Sequence, residues 1–422
     1  MENVNMTEWQ NVKLEDVCIK ITDGVHNTVI DDADSACFLL SCKNIKNSSI
    51  VINDNDRRIS RETLINLRKR TQMSQGDVIL SSVGTIGEAA IIKDENPNYE
   101  FQRSVAIFKP NFEKIISKFL YYSLIYNKAA FQFLAEGAVQ QCLFIAPLKN
   151  FPISLPPLDV QKRIAGILGA LDDRIDVLRR ENVVLEQMAQ AVFQSWFVDF
   201  DIVRAKAAGT PESEVCEKYH ITPELYALFP SALTPDNLPL GWEKKNLGDI
   251  SQYSKEKTTN VNIETYVSTE NMLPNYGGIE KASSVPETGQ STRYKAGNVL
   301  ISNIRPYFKK IWFADREGSC SNDVLVFFSN SIGKCMLYSI LAQDAFFDFV
   351  MSGANGDKMP RGNKKHIMTY PVIFPNMDLL NKFENLVASL FDKKSKNAQQ
   401  IRALSATRDA LLPKLMNGEI EV

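Results

Sequence analysis

At 422 residues, with 44% apolar and 23% charged side chains, the chain is too long for one ordinary core and suits two globular domains plus connecting helices, without extensive disorder. A net charge of −2 excludes a histone-like basic protein but leaves room for a local basic face that binds nucleic acid. No apolar run approaches the roughly 18 residues that span a bilayer and Met1–Thr7 lacks a signal-peptide design, so a cytoplasmic protein without membrane association is expected.

In chain order, Trp9, Leu14, Asp16 and Val17 open the first half with the pattern W-x4-L-x-D-V. Short apolar runs punctuated by turn residues follow: Gly76-Asp77 before Val78-Ile79-Leu80, Gly84 and Gly87 before Ala89 to Ile92, then Val105 to Phe108 ending at Pro110. These predict strands of a mixed or antiparallel sheet. Helical spacing with many aromatics covers Phe119 to Leu134. Pro156-Pro157 marks a boundary, after which a helix can run to about Phe197, roughly 60 Å at 1.5 Å per residue. Residues 199–241 carry Pro211, Pro223, Pro230, Pro235 and Pro239, which prevent one continuous helix and predict a connector.

The pattern then restarts. Trp242, Leu247, Asp249 and Ile250 repeat the opening as W-x4-L-x-D-I. Gly297-Asn298 precedes Val299 to Ile301, Lys310 to Phe313 and Val324 to Phe328 are the next runs, and a helix is predicted over Lys334 to Val350. Gly137-Ala138 after the first aromatic helix matches Gly353-Ala354 after the second, and Pro152 and Pro156 match Pro371 and Pro375. The scaffold is repeated while the residues between the strands differ, which predicts one fold with two specificities.

Each half closes on a heptad run. Ile164, Leu168, Leu171, Ile175, Leu178, Asn182, Leu185, Ala189, Val192 and Trp196 step by alternating fours and threes. A shift of 219 gives Phe383, Val387, Leu390, Lys394, Asn397, Ile401, Leu404, Arg408, Leu411 and Leu415. A period of 3.5 sustained over about four heptads favours a coiled coil over ordinary core packing. An antiparallel pair would serve as a spacer of fixed length. Its expected seam is Ile164, Leu168, Leu171, Ile175, Leu178, Asn182 and Leu185 against Phe383, Val387, Leu390, Ile401, Leu404 and Leu411. Asn182, Lys394, Asn397 and Arg408 occupy apolar positions, either to fix register or because they lie in a frayed, solvent-facing stretch.

The expected architecture is therefore α+β: two similar globular domains in tandem, each followed by a long helix, with the two helices paired antiparallel. The expected bounds are 1–157 for the first domain, 158–198 for its helix, 199–241 for the connector, 242–376 for the second domain and 377–422 for the closing helix.

Candidate contacts with DNA come from basic and amide side chains between the predicted strands. Arg57, Arg58, Arg61, Arg68, Lys69 and Arg70 cluster in the first half. Arg293, Arg305, Lys309 and Lys310, then Lys358, Arg361, Lys364, Lys365 and His366, cluster in the second. A charge run is often only a solvated face, but its recurrence in both halves favours a surface that tracks phosphates. Gln140, Gln141, Asn303, Arg305, Asn355, Arg361 and Asn363 have the amide or guanidinium groups that hydrogen-bond base edges. Ser82-Val83-Gly84-Thr85-Ile86-Gly87 lacks the lysine and spacing of a nucleotide loop and reads as a turn. His26, His220 and His366 are scattered, and the seven cysteines form no C-x-x-C pair. No metal, no cofactor and no disulfide framework are expected, and the cysteines read as reduced and mostly buried. No nucleophile signature or dinucleotide fingerprint is present, so no catalytic residue is assigned. Asn96-Pro97-Asn98-Tyr99 lacks the second proline of an amino-methyltransferase loop.

Taken together, several stretches resemble the specificity subunit of bacterial type I restriction-modification systems. They are Leu155-Pro156-Pro157-Leu158 with Gln161, Ile164-Ala165, Leu171-Asp172, Ala189-Gln190-Ala191 and Trp196 to Asp201; the Trp9-to-Val17 opening; Asp23-Gly24-Val25-His26; Leu228-Phe229-Pro230 before Gly241-Trp242; and Leu411 to Ile420. The resemblance spans essentially the whole chain. It implies two target-recognition domains that each read half of a bipartite, asymmetric site on double-stranded DNA, with the helices setting the unread gap. It also implies a non-catalytic subunit that docks two methyltransferase subunits and motor-nuclease restriction subunits. Phe374-Pro375-Asn376-Met377 departs from the double-proline start of the first helix. Two other readings remain: a coiled-coil scaffold with two protein-binding heads, and a methyltransferase with a divergent cofactor site.

Overall fold

A computed structural model describes residues 9–137 and 141–422. The chain divides into two compact units, one comprising everything up to Asp176 together with Arg402–Val422, the other Val177–Ile401. Two long helices, Leu158–Phe193 and Met377–Met416, each contribute a segment to both units.

In the first unit an antiparallel sheet has the strand order Cys18–Asp23, Val105–Pro110, Val78–Ser81, Ala89–Ile91. Its two central strands are apolar on both faces because both faces are covered. Successive side chains point to opposite faces. Val78, Leu80, Ala106 and Phe108 therefore pack with Phe119, Leu120 and Leu124 of the Ser117–Tyr126 helix. Ile79, Val105 and Ile107 pack on the other side with Leu40, Tyr99 and Phe101.

The second unit repeats this plan in the order Gln252–Tyr253, Val324–Phe328, Val299–Ser302, Ile311–Phe313. Val299, Ile301, Leu325 and Phe327 share a core with helices Lys334–Leu341 and Asp344–Ser352. Leu300, Val324 and Val326 pack against Val267, Met272 and Tyr294. The helix expected over Lys334 to Val350 is thus two helices, broken where Gln343 adopts an extended backbone. Phe119 to Leu134 is likewise broken at Asn127, whose side-chain amide donates to the Ser123 carbonyl, 2.8 Å.

The repeated W-x4-L-x-D pattern has a local cause. Leu14 and Leu247 are completely buried, while Asp16 accepts from the Lys13 backbone N–H at 2.9 Å and Asp249 from that of Asn246 at 2.8 Å. Each opening is a strand ending in a short turn that its aspartate caps by accepting from the backbone N–H three residues earlier. That strand pairs with the one entering the long helix: Gln10–Lys13 with Pro152–Leu155, and Glu243–Asn246 with Pro371–Phe374.

The expected connector folds as three short helices, Asp201–Ala207, Glu212–Tyr219 and Pro223–Ala227. Phe200, Ile202, Val203, Val215 and Phe229 bury themselves in the second unit's core with Trp196 and Trp242, so this segment is core rather than linker. Of the seven free cysteines only Cys37, Cys320 and Cys335 are buried; the other four are half-buried, which corrects the expectation for them.

Within each unit the long helices run antiparallel. In the first, Asp172 meets Arg408, and Ile164 and Leu168 share a cluster with Leu412 and Leu415. In the second, Asn182 meets Asn397, and the Phe193 and Phe383 rings lie 6.0 Å apart. The expected seam residues are all buried or half-buried. Asn397 is only 1% exposed and donates to Asn182 at 3.0 Å and Glu181 at 2.9 Å, so it is not in a solvent-facing stretch. In place of a second proline, Asn376 caps the closing helix by accepting from the Leu379 N–H at 2.8 Å. Among the described residues no helix is long and apolar enough to cross a membrane.

Candidate nucleic-acid interface

In the second unit the Val299–Ser302 strand leads into a loop that is laced to residues 353–363 by backbone hydrogen bonds. Gly362 N–H donates to Asn303 O at 3.1 Å, Arg305 N–H to Pro360 O at 2.8 Å, and Asn355 and Arg361 exchange bonds of 2.9 Å in both directions. Five of the expected contact residues, Asn303, Arg305, Asn355, Arg361 and Asn363, thus come from two distant segments onto one loop pair. Arg305 and Lys309 both adopt a left-handed backbone, at φ 49°, on either side of a single turn over Pro306–Phe308. A β-carbon-bearing residue holds that conformation only where its surroundings enforce it. Here the enforcing bonds are the Asn275 N–H to Phe308 O at 2.8 Å and the Tyr276 N–H to Lys309 O at 3.1 Å.

The side chains divide by role. Arg305, Asn355, Lys358, Arg361, Asn363 and Lys364 are exposed. Arg361 has one neighbouring anion, Asp323, at 3.3 Å. Asn363 spends its acceptor oxygen on the Lys365 and His366 N–H groups, capping the Lys364–Ile367 helix. Asn303 turns inward: its Oδ1 is buried, and a β-carbon on Gly362 would sit 2.7 Å from it, so any larger residue there would have to displace the Asn303 amide. Lys309 is tied to Asp344 at 2.6 Å, and that bond, with the Tyr276 hydroxyl, holds Asp344 below the usual carboxylate range. Burial lowers the pKa of Lys310, which donates to the Thr269 carbonyl at 2.6 Å. Arg293 is exposed but lies on a separate small sheet.

The first unit carries the same loop pair. Glu136 and Cys142 exchange bonds of 3.0 and 2.8 Å, and Leu143 N–H donates to Ser82 O at 2.8 Å, as Gly362 does to Asn303. The bridge Val83 to Cys142 repeats that of Ile304 to Arg361. The chemistry differs, since the exposed side chains among the described residues here include Thr85, Glu136, Gln141 and Phe144. Gln140 lies outside the described residues.

The first unit's basic cluster is elsewhere and is largely engaged. Four of its arginines brace backbone carbonyls, for which a fork of five N–H donors is well suited. Arg57 reaches Asp31 and Val29 O, Arg58 donates to Ser35 O at 2.8 Å, and Arg70 bonds Asp23 and Gly24 O. Arg68 bonds Glu100 at 2.6 Å and the carbonyls of Pro97 and Tyr99. Gly24 belongs to this braced segment, and a β-carbon there would lie 2.1 Å from the Phe101 carbonyl oxygen. Arg61, Lys69 and Arg70 are the exposed cations on the helix Arg61–Thr71, and Arg70 is held by Asp23 and Gly24. Sequence reasoning passed over the apolar side chains exposed on the second unit's loops, Tyr307, Phe308 and Met359. The signal for two of them was present as aromatics flanked by Arg305 and Lys309.

Two unequal loop pairs on a repeated sheet, each sheet tied to a segment of paired long helices, make this a tandem-domain protein. The type I restriction modification DNA specificity domain is recognised over residues 6–187. The specificity subunit of the type I restriction enzyme HindI from Haemophilus influenzae is 24% identical over 401 residues, covering 82% of this chain and 87% of that one. The MjaIX specificity subunit from Methanocaldococcus jannaschii is 25% identical over 370 residues, covering 82% and 78%. The crystal structure of a type I restriction-modification S subunit from M. genitalium aligns over 98% of both chains with a TM-score of 0.50 at 16% identity, a likeness of fold. Over most of its length the chain is similar to type I restriction-modification specificity subunits.

Proposed function

We propose that this chain reads a bipartite, asymmetric site on double-stranded DNA, one half with each globular domain. It has no catalysis of its own and brings two methyltransferase subunits and motor-nuclease restriction subunits to that site in the cytoplasm. Residues 1–157 and 242–376 are the two recognition domains, and the helices beginning at 158 and 377 form the spacer. The observation that carries this reading is the loop pair. The same backbone bonds join Ser82 to Leu143 and Asn303 to Gly362, yet the side chains presented include Thr85, Glu136, Gln141 and Phe144 in one domain and Arg305, Asn355 and Arg361 in the other. One scaffold with two chemistries suits two different half-sites. Arg61, Lys69, Lys358 and Lys364, exposed beside these loops or on the same domain, are the phosphate contacts.

The test is a map of adenine methylation in cells expressing the cognate methyltransferase subunits with and without this chain. A bipartite motif that depends on the chain is the expected result. An assembled complex that produces no motif, and whose DNA binding is insensitive to salt, would instead favour a scaffold with protein-binding heads.

A further inference from the structure

Four side chains that the sequence pattern marks only as helix residues or polar interruptions form, with two tyrosines, the same device in both units. In the first unit the Tyr122 hydroxyl donates to Oδ2 of Asp172 at 2.7 Å, and Arg408 donates to Oδ1 of the same carboxylate at 2.7 Å. In the second, the Tyr338 hydroxyl donates to Oε1 of Glu186, and Lys394 donates to Oε2. Each carboxylate gives one oxygen to a tyrosine of the globular domain and the other to a cation. Both carboxylates stand on the Leu158–Phe193 helix and both cations on the Met377–Met416 helix. The tyrosines are 3% and 1% exposed. Burial, reinforced by the adjacent carboxylate, raises both phenol pKa values well above the ordinary range, so each hydroxyl keeps its proton and donates.

A second attachment accompanies each. Gln161, on the first long helix, accepts from the Ile116 N–H at 3.1 Å, where the Ser117–Tyr126 helix begins. Glu384, on the second, accepts from Cys335 and Met336 N–H groups at 3.0 to 3.1 Å, where the Lys334–Leu341 helix begins. Gly333 permits this approach, since a β-carbon there would lie 2.1 Å from the Glu384 carboxyl carbon. The tyrosine bond lies further along the same domain helix and adds a second directional contact to the apolar packing of Ile164, Leu168, Phe383 and Val387 in the domain cores.

We infer that Tyr122–Asp172–Arg408 and Tyr338–Glu186–Lys394 are positioning latches that hold each recognition domain at a fixed angle to the helix pair and thereby make the gap between half-sites strict. The inference rests on the bipartite reading. DNA rises about 3.4 Å per base pair, so a domain that rocks by that distance at its loops accepts a gap one base pair longer or shorter.

The test uses the full chain assembled with its methyltransferase subunits, assayed on duplexes whose half-sites are constant and whose gap is altered by one base pair. Tyr122→Phe and Tyr338→Phe keep the ring and its packing but remove the donor. Each is expected to raise methylation of the altered-gap duplexes about tenfold relative to the native gap, the scale of one hydrogen bond to a charged group, with half-sites unchanged. Asp172→Asn and Glu186→Gln, which keep size but lose the charge, are expected to act in the same direction. Tyr121→Phe, which removes only a bond to Ser48, is expected to leave the gap strict. Variants that unfold at lower temperature yet keep a strict gap would overturn the latch and leave these residues merely structural. Should the unaltered chain produce no bipartite motif, the functional reading itself falls, and the latch with it.

Discussion

Arg68 stands in a run of six basic residues that reads as a phosphate-binding face, yet its guanidinium faces Glu100, whose side chain is fully buried. Burial raises the Glu100 pKa; Arg68, then Thr71, oppose that rise, and Oε2 has no partner. Arg68→Ala leaves a buried carboxylate without its cation and is expected to cost about 3–5 kcal/mol at neutral pH, measured by denaturant unfolding. Because the folded pKa of Glu100 lies above its unfolded value, protonation favours the native state. The loss should therefore shrink as pH falls from 7 towards about 4.3, where the unfolded carboxylate also binds its proton. In the second unit the contrast is between Arg361 and Lys358, both exposed. Arg361→Ala is expected to relax discrimination at one half-site by about 1–3 kcal/mol. Lys358→Ala should weaken binding to all sequences and reduce the salt slope by about one. Titrations on native and mismatched duplexes across salt concentrations separate the two. Equal loss at both half-sites from Arg361→Ala would point to misfolding instead.

Three ion pairs between the long helices share one polarity. Asp172, Glu181 and Glu186 on the first long helix meet Arg408, Lys393 and Lys394 on the second. This pairing of unlike faces favours the first helix against the second over either helix against another copy of itself. The layer of Asn182 with Asn397 costs stability and specifies register. Asn397→Leu alone should destabilise by about 1–3 kcal/mol, because it removes a buried donor from Asn182 and Glu181. The double change Asn182→Leu and Asn397→Leu should recover that stability or exceed it while loosening the register. Thermal unfolding and cysteine cross-linking along the seam measure the two effects, and a double variant with unchanged register would show that the asparagines do not set it. Such layers were half legible beforehand. Polar residues at seam positions stood out in the sequence, but their partners did not, because Glu181 and Glu186 lie outside the expected seam.

For the whole molecule the central expectation concerns length. Seven residues added to each long helix, where the units divide near Asp176 and Ile401, lengthen the helices by about 10 Å at 1.5 Å per residue. The unread gap should change by about three base pairs at 3.4 Å each, with both half-sites retained in the methylation map. Altered half-sites would count against a ruler. The segment 199–241 shows where reading by composition fails at this scale. Its prolines correctly ruled out a continuous helix, but Phe200, Ile202, Val203 and Phe229 bind it into the second unit's core. A proline-rich stretch signals broken helix, and only the pattern of buried apolar residues reveals whether it is also packed.

Local periodicity by itself determined the duplication, the strand runs, the W-x4-L-x-D openings and the two long helices, because each depends on side chains within a few residues of one another. The tertiary structure alone decided which cations brace the fold and which stay exposed. Arg68 and Arg61 are chemically identical and seven residues apart, yet one meets Glu100 from a distant strand and the other meets solvent. It also brought Asn303 and Gly362 into contact across nearly sixty residues and gave Tyr122 and Tyr338 their carboxylates. Such partners come from segments far apart in the chain, and a one-dimensional pattern carries no record of the distance that folding removes.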